Sequence, residues 1–302
     1  MGQSDLDISV VVPCYRDPDL LDDLLQSLPK RDGEAEGVRF EVIVIDSGLD
    51  DRVAAVADRH GVRCRRGPGR LLPGDARNLG VDLARGEIVA FIDCDCVAEP
   101  GWIDAVAAGL KRRGVMIGGP VLDRLPWYTI ASVDNLLQFA DVGPRRAAGP
   151  VPHVPSCNMA MRREDFLSLG GFEHRDQQSG EDVLLTSALN RRWPEGLIFV
   201  PDMRVRHLGR RTLGVMLRHH HGFGYTRGAL RLHLTEMQQK WGRLALLIPA
   251  VALKRINYIM KSGLGYGRTS AGRFLLVLPL MLLGMLAWAV GFRRGLMEAA
   301  RR

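Results

Sequence analysis

Two aspartates one residue apart, Asp93 and Asp95 in Ile-Asp-Cys-Asp-Cys, end the apolar run Glu87–Asp93. Where a chain leaves a strand, carboxylates at that spacing can face one divalent cation and a phosphate-bearing ligand. Hard cations such as Mg2+ or Mn2+ take oxygen ligands and share them with phosphates. Cys94 and Cys96, with Cys14 and Cys64 elsewhere, raise a zinc alternative. Cys-x-Cys without a second pair does not match a structural zinc site, so buried, inert thiols are expected. Asp46 closes a second apolar run, FEVIVID, where it either joins that ligand edge or caps the next helix. Gly180-Glu181-Asp182 opens a helical pattern; a carboxylate there is a cap, or a base able to take a proton from an attacking hydroxyl. Arg77 lies in Gly74–Gly86, near the start of a helix whose amide dipole favours anions, and is either a phosphate contact or a surface side chain. His207 follows the short run MRVRH, and a lone His there reads first as a satisfied structural residue. His219-His220-His221 resembles a metal tract, yet neighbours on a helix point about 100° apart and cannot all face one ion.

These side chains need elements to carry them. Ile8–Pro13, Phe40–Asp46 and Glu87–Asp93 are near-continuously apolar, as parallel strands covered on both faces must be. Between them Pro18–Leu28, Asp51–Arg59 and Asp75–Ala84 carry apolar residues at helical spacing. Strand-helix-strand winding predicts a doubly wound, mostly parallel α/β sheet with its ligand edge beyond the carboxyl ends of the strands. Val115–Leu122 and Asn158–Met161 are further predicted strands, and Glu181–Arg192 a helix. No internal repeat and no low-complexity segment is found.

Charge divides the chain. Its 302 residues carry 41 Lys+Arg and 34 Asp+Glu, net +7. From Met203 to Arg302 there are 18 Lys and Arg against Glu236 and Glu298 alone, a net of +16 that leaves the first 202 residues at −9. An acidic body with a basic, apolar-rich tail predicts an anionic lipid surface as the tail's partner and no nucleic acid. Five Cys and 46% hydrophobic residues exclude a disulfide scaffold and a disordered chain. The polar start, with no apolar h-region, predicts an N-terminal body that stays in the cytoplasm. Phe274–Phe292 is 19 residues without a charge, about 28 Å as a helix, close to a hydrocarbon core of ~30 Å. It is expected to associate with the membrane as an anchor or, through Pro279 and Gly284, as a re-entrant helix. Leu244–Leu253 is too short to cross and reads as interfacial.

Taken in order, VVPCYRD, VIVIDSG, ARNLGVDLARGEIVAFIDCD, GGF and GED, between Ile8 and His207, resemble the family 2 glycosyltransferases of the GT-A fold. The resemblance implies a GT-A catalytic domain over residues 1–210, which leaves the basic, apolar-rich tail as a helical region over 211–302 with its membrane-associated segment at 274–292. It implies nucleotide-sugar contacts from Tyr15, Asp46, Arg77 and Asp93, with Asp93 near the ribose or metal. Asp95 and His207 would hold Mn2+ or Mg2+, Asp182 would be the general base, and Glu181 would lie on the acceptor side. The reaction implied is a metal-dependent, inverting sugar transfer to an acceptor hydroxyl. The tail points to a lipid or lipid-linked glycan of the cell envelope as acceptor, at the cytoplasmic face of the membrane.

Two positions depart from the family pattern: Arg16 stands where Asn is usual, and Ser47 where a second Asp follows Asp46. Both bear on the base and ribose contacts, and a UDP sugar is expected ahead of a GDP sugar. The Gln-x-x-Arg-Trp element of processive synthases is missing, with Gln238-Gln239-Lys240-Trp241 only an echo of it, so one sugar per encounter is expected. Two rival readings remain. A sugar-phosphate nucleotidyltransferase would place a Gly-rich phosphate loop after the first strand, where Cys14-Tyr15-Arg16-Asp17-Pro18 stands instead. An inactive nucleotide-sugar-binding membrane partner would have lost Asp95 or the base, and both are present.

Overall fold

A computed structural model describes residues 6–29, 37–112, 114–125, 129–174, 179–231, 257 and 271–299. The predicted interfacial run Leu244–Leu253 and the stretch Gln238–Trp241 lie outside these.

The three β-branched runs become β1 (Ile8–Cys14), β2 (Phe40–Asp46) and β4 (Ile88–Ile92), buried on both faces. With β3 (Arg63–Arg66), β6 (Met116–Gly118), β8 (Gly149–Pro150), β9 (Asn158–Arg162) and β10 (Leu197–Phe199) they form one sheet, ordered β3-β2-β1-β4-β9-β6-β10-β8. Antiparallel pairing enters only through β9 and β8, so the sheet is mostly parallel as predicted. Helices α1 (Pro18–Ser27), α2 (Asp51–Arg59), α3 (Pro73–Leu83), α4 (Trp102–Arg112) and α6 (Arg163–Ser168) flank it. Gly80 lets α3 lie directly on β1, since a Cβ there would overlap the Val11 side chain.

One buried carboxylate ties this half together. Glu41 accepts from Ser9 Oγ at 2.8 Å, Arg85 Nη2 at 2.9 Å and Arg63 Nη1 at 3.0 Å. Burial alone would raise its pKa; the hydrogen bonds from Arg85, Ser9 and Arg63 outweigh that and hold it below the usual range.

The predicted strand Val115–Leu122 divides. β6 joins the main sheet, while β7 (Val121–Asp123) joins a small second sheet, ordered β5-β11-β7, with β5 (Cys96–Ala98) and β11 (Val205–His207). Gly119 and Pro120 make the transfer: a Cβ at Gly119 would overlap the Met203 carbonyl oxygen, and proline has no amide to continue the ladder. In the second sheet Cys96, next to Asp95, pairs with His207 at the end of β11.

α5 (Ile130–Phe139) and α7 (Glu181–Arg192) follow, and then α8 (Leu213–Ala229) and α9 (Ala271–Ala299). α8 and α9 touch backbone to backbone at reciprocal glycines. Gly224 faces Trp288 and Gly228 faces Phe292; Gly291 faces His221 and Gly295 faces Tyr225. Small residues four apart on both helices allow this approach. α9 also packs Val277, Met281 and Met285 onto Val133, Leu136 and Leu137 of α5. Its opposite face exposes Leu275, Leu276, Leu282, Leu283, Leu286 and Val290. Among the described residues it is the one helix long and apolar enough to cross a membrane.

Candidate active site

The carboxyl ends of β1, β2 and β4 converge. Cys14 pairs in register with Asp46, and Asp93 follows β4 directly. Asp46 is fully buried; its two oxygens accept from the Gly48 and Asp50 amides, each at 3.0 Å, which fixes the turn after β2. Tyr15, by contrast, is 40% exposed, and the guanidinium groups of Arg16 and Arg70 stand 5.4 Å and 5.1 Å from its ring centre. Arg16 sits at φ +61°, and its Nε donates to the Gly48 carbonyl at 3.3 Å. The side chain at the usual Asn position therefore bridges the first two strand ends.

Arg77 is not displayed at the surface. It is 2% exposed, donating through Nη2 to Asp93 at 2.5 Å and through Nη1 to Glu181 at 2.9 Å, with its guanidinium 5.6 Å from the Phe172 ring centre. Burial works against its charge, but the Asp93 and Glu181 carboxylates more than compensate and drive its pKa up. The side chain assigned by resemblance to the nucleotide is thus occupied in joining the strand end after β4 to the start of α7. Glu181 is correspondingly held by Arg77 rather than open to an acceptor. Its pKa is pushed up to about 7 by burial and then by the neighbouring Asp182, against the pull of Arg77.

Asp95 meets His207, with its Oδ2 3.4 Å from His207 Nε2. The other face of the imidazole is fixed: Nδ1 lies 2.7 Å from Asn135 Oδ1, while Asn135 Nδ2 donates to Asp123 Oδ1 at 2.8 Å and to the His207 carbonyl at 2.9 Å. An amide whose nitrogen is used twice as donor must accept through its oxygen, so Nδ1 carries the proton and the Nε2 lone pair faces Asp95. A carboxylate and an imidazole lone pair converging in this way fit a divalent cation. They would be two protein ligands: among the described residues no group of three or more His, Cys, Asp or Glu is gathered to hold a metal. Burial would raise the Asp95 pKa; the imidazolium form of His207 and Arg210 outweigh that and bring it to about 2, and a bound cation beside a neutral His207 would take the imidazolium's place. The interleaved thiols turn away from this role: Cys94 and Cys96 are buried, and their pKa values lie well above the usual thiol range.

Asp182 opens α7 with 19% of its side chain exposed, its Oδ1 accepting from the Val183 amide at 2.7 Å. Its Oδ2 lies 3.7 Å from His153 Nε2, whose Nδ1 is 3.1 Å from Thr186 Oγ1. The site brings together Asp93, Arg77 and Glu181 in one group, Asp95 and His207 in a second, and Asp182 beside the first. Sequence reasoning missed Asn135, Asp123, His153 and Arg70, which carry no local motif. The histidine triplet separates as its helical spacing requires: His220 is buried 2.9 Å from Asp134, and His219 reaches Gln138 at 3.2 Å.

A mostly parallel sheet with an acid-rich ligand edge, a candidate cation pair and a carboxylate at a facing helix start define a nucleotide-sugar transferase of the GT-A type. The family model "Glycosyl transferase family 2" matches residues 9–170, and the chain belongs to that family. It is 29% identical over 194 residues to the pre-mycofactocin glycosyltransferase of Mycobacterium tuberculosis, a match that covers 60% of this chain and 38% of that relative. The match thus spans well under half the length of that curated relative. Among solved structures, a mannosyltransferase of Pyrobaculum calidifontis in complex with GDP-Man and Mn2+ superposes with a TM-score of 0.61 at 17% identity, covering 97% of this chain and 90% of the other. GalNAc-T7 with UDP, GalNAc and Mn2+ gives a TM-score of 0.50 at 19% identity over 68% of this chain and 44% of the other.

Proposed function

We propose that the protein transfers one sugar per encounter from a nucleoside-diphosphate donor, with inversion, to the hydroxyl of a lipid or lipid-linked acceptor at the cytoplasmic face of a membrane. The observation that carries the chemistry is the convergence of Asp93, Asp95 and His207 with the Glu181-Asp182 helix start at one sheet edge, tied through buried Arg77. Tyr15 would contact the nucleobase beyond β1, and the buried Asp46 would act on it by fixing the turn after β2, with UDP the nucleotide expected first. Asp95 and His207 would hold the Mn2+ or Mg2+, which when bound would neutralise charge on the donor diphosphate.

In this reading Asp182 takes the acceptor proton as the acceptor oxygen bonds to the anomeric carbon. The bond from that carbon to the diphosphate oxygen breaks with its electron pair, so the negative charge leaves on the nucleoside diphosphate. Attack opposite the leaving group converts an α-linked donor into a β-linked product. Arg77 acts as a positioning residue here, holding the donor-side Asp93 and the acceptor-side Glu181 at a fixed separation. Residues 1–210 would form the catalytic domain and 211–302 the membrane-directed region. Asp182 Oδ2 stands 3.7 Å from His153 Nε2, which leaves the carboxylate partly exposed at the start of α7 with a polar neighbour beside it. Asp182→Asn tests the base assignment: transfer should fall by about 10²–10⁴-fold with nucleotide binding retained. Retained transfer would remove Asp182 from the role.

A further inference from the structure

One face of α7 holds a histidine against the candidate base. Asp182, Thr186 and Asn190 lie four residues apart along the helix and so share that face. Asn190 Nδ2 donates to the Pro152 carbonyl at 2.8 Å, and Val154 packs onto Gly118 so closely that a Cβ there would come within 2.6 Å of it. The loop between β8 and β9 is thus pinned on both sides of His153. His153 Nδ1 lies 3.1 Å from Thr186 Oγ1, while the Thr186 hydroxyl donates back to the Asp182 carbonyl at 2.8 Å, with the Val183 carbonyl a second acceptor at 3.2 Å. That hydroxyl has one proton and carbonyls only accept, so Nδ1 carries the ring hydrogen and the Nε2 lone pair faces Asp182 Oδ2 at 3.7 Å. Burial lowers the His153 pKa, and Asp182 and Asp141 restore less than burial and Arg227 remove, which keeps the ring neutral at pH 7. A carboxylate and a lone pair so placed repel unless a hydrogen lies between them. An oxygen about 2.8 Å from each fits over the 3.7 Å gap, and both side chains keep an exposed edge.

We propose that His153 is the second proton acceptor of the transfer, taking from Asp182 the hydrogen that Asp182 removes from the acceptor hydroxyl. The inference rests on the base assignment above and extends it by one residue. As the acceptor oxygen bonds to the anomeric carbon, its O–H bond breaks and that electron pair stays on the oxygen. The proton passes to Asp182 Oδ2 and then to His153 Nε2, which leaves Asp182 ionised and His153 cationic, with Nδ1 still held by Thr186. The restored carboxylate faces the imidazolium, and its charge stabilises the cation that burial disfavours. Water at the exposed edge takes the proton before the next turnover.

The test uses the full chain in dodecyl maltoside with Mg2+, its histidines isotope-labelled for nuclear magnetic resonance and the His153 signals assigned by their loss in His153→Gln. At pH 7 the ring should be the neutral tautomer with hydrogen on Nδ1. Thr186→Val should raise the share of the other tautomer, and Asp182→Asn should lower the His153 pKa by about one unit, because the carboxylate that favours its cation is gone. Hydrogen on Nε2 in the neutral wild-type ring, or a pKa unmoved in folded Asp182→Asn, overturns the inference. This titration needs no turnover, so it decides the pairing whatever sugar the donor carries. Turnover is read as nucleoside diphosphate released from UDP-glucose and GDP-mannose, with water as the acceptor. For a donor that turns over, His153→Gln should slow release by about tenfold or more and move the acidic limb of the pH profile to lower pH, since Asp182 alone then sets it. An unchanged rate and limb would remove His153 from the role. UDP and GDP binding is measured alongside: wild type that binds neither refutes the donor reading, and full release by Asp182→Asn refutes the base assignment. Nucleotide binding with the wrong tautomer refutes the inference alone.

Discussion

At the residue scale the site works by fixing side chains that would otherwise be free. His207 turns Nε2 toward Asp95 because Asn135 Oδ1 accepts from its Nδ1 at 2.7 Å. Asn135→Ala should therefore raise the Mn2+ concentration needed for half-maximal nucleotide binding by about 10–100-fold, the usual effect of losing an orienting partner; an unchanged requirement would sink that role. Glu181 allows a signed pH prediction. Burial and Asp182 lift it to about 7 in the fold, against about 4.3 in an unfolded chain. The folded state then holds the extra proton between those values, so its stability falls as pH rises through that window. Melting temperatures from about pH 4.5 to 8 should decline more for wild type than for Glu181→Gln, and parallel curves would contradict the assignment. Asp46, Asp93, Asp95 and Asp182 were legible in the sequence because strand ends and helix starts place them. Arg77 was legible as a site residue but not as a buried one, since only its two distant carboxylate partners put it inside. Asn135 and His153 were not legible as neighbours of His207 and Asp182, because each meets its partner by packing between elements remote in the chain.

Elements follow the same logic. β2, α2 and α7 have the bounds that their apolar patterns predicted, and β1 and β4 differ by a residue or two at their ends. β3 was missed because three of its four residues are arginine, the marking of a protected edge strand rather than of a core one. The α8–α9 contact was equally hidden: glycines four apart are visible in each helix, but their reciprocity is a property of the pair. Gly224→Ala would drive a methyl into the Trp288 carbonyl and should loosen α9 from α8. Limited proteolysis should then release the C-terminal helix from the variant well before the sheet unfolds, whereas equal release from wild type would show that the glycine contact does not hold it. Within the sheet, Glu41→Ala leaves Arg63, Arg85 and Ser9 without their buried acceptor and should cost about 3–5 kcal/mol in chemical unfolding. A loss under about 1 kcal/mol would mean that the cluster contributes only as a surface pair does.

For the whole molecule, the acidic body and the +16 tail carry opposite net charge, and α9 carries an exposed apolar face opposite its contacts with α5 and α8. Binding to vesicles containing phosphatidylglycerol should exceed binding to neutral vesicles, and should weaken but persist as salt is raised from about 0.1 M to 0.5 M, because screening removes the charge term and leaves the apolar one. Equal, salt-independent binding to both would contradict the basic region's part. Everything in this account depends on the donor site. The measurement that tests it is calorimetric binding of UDP and GDP to detergent-purified protein with Mn2+ and with EDTA, for wild type and Asp95→Asn. One nucleotide should bind, only with Mn2+ present, and its binding should be lost in the variant. Folded wild-type protein that binds neither nucleotide, or binds one equally well in EDTA and in the variant, would contradict it.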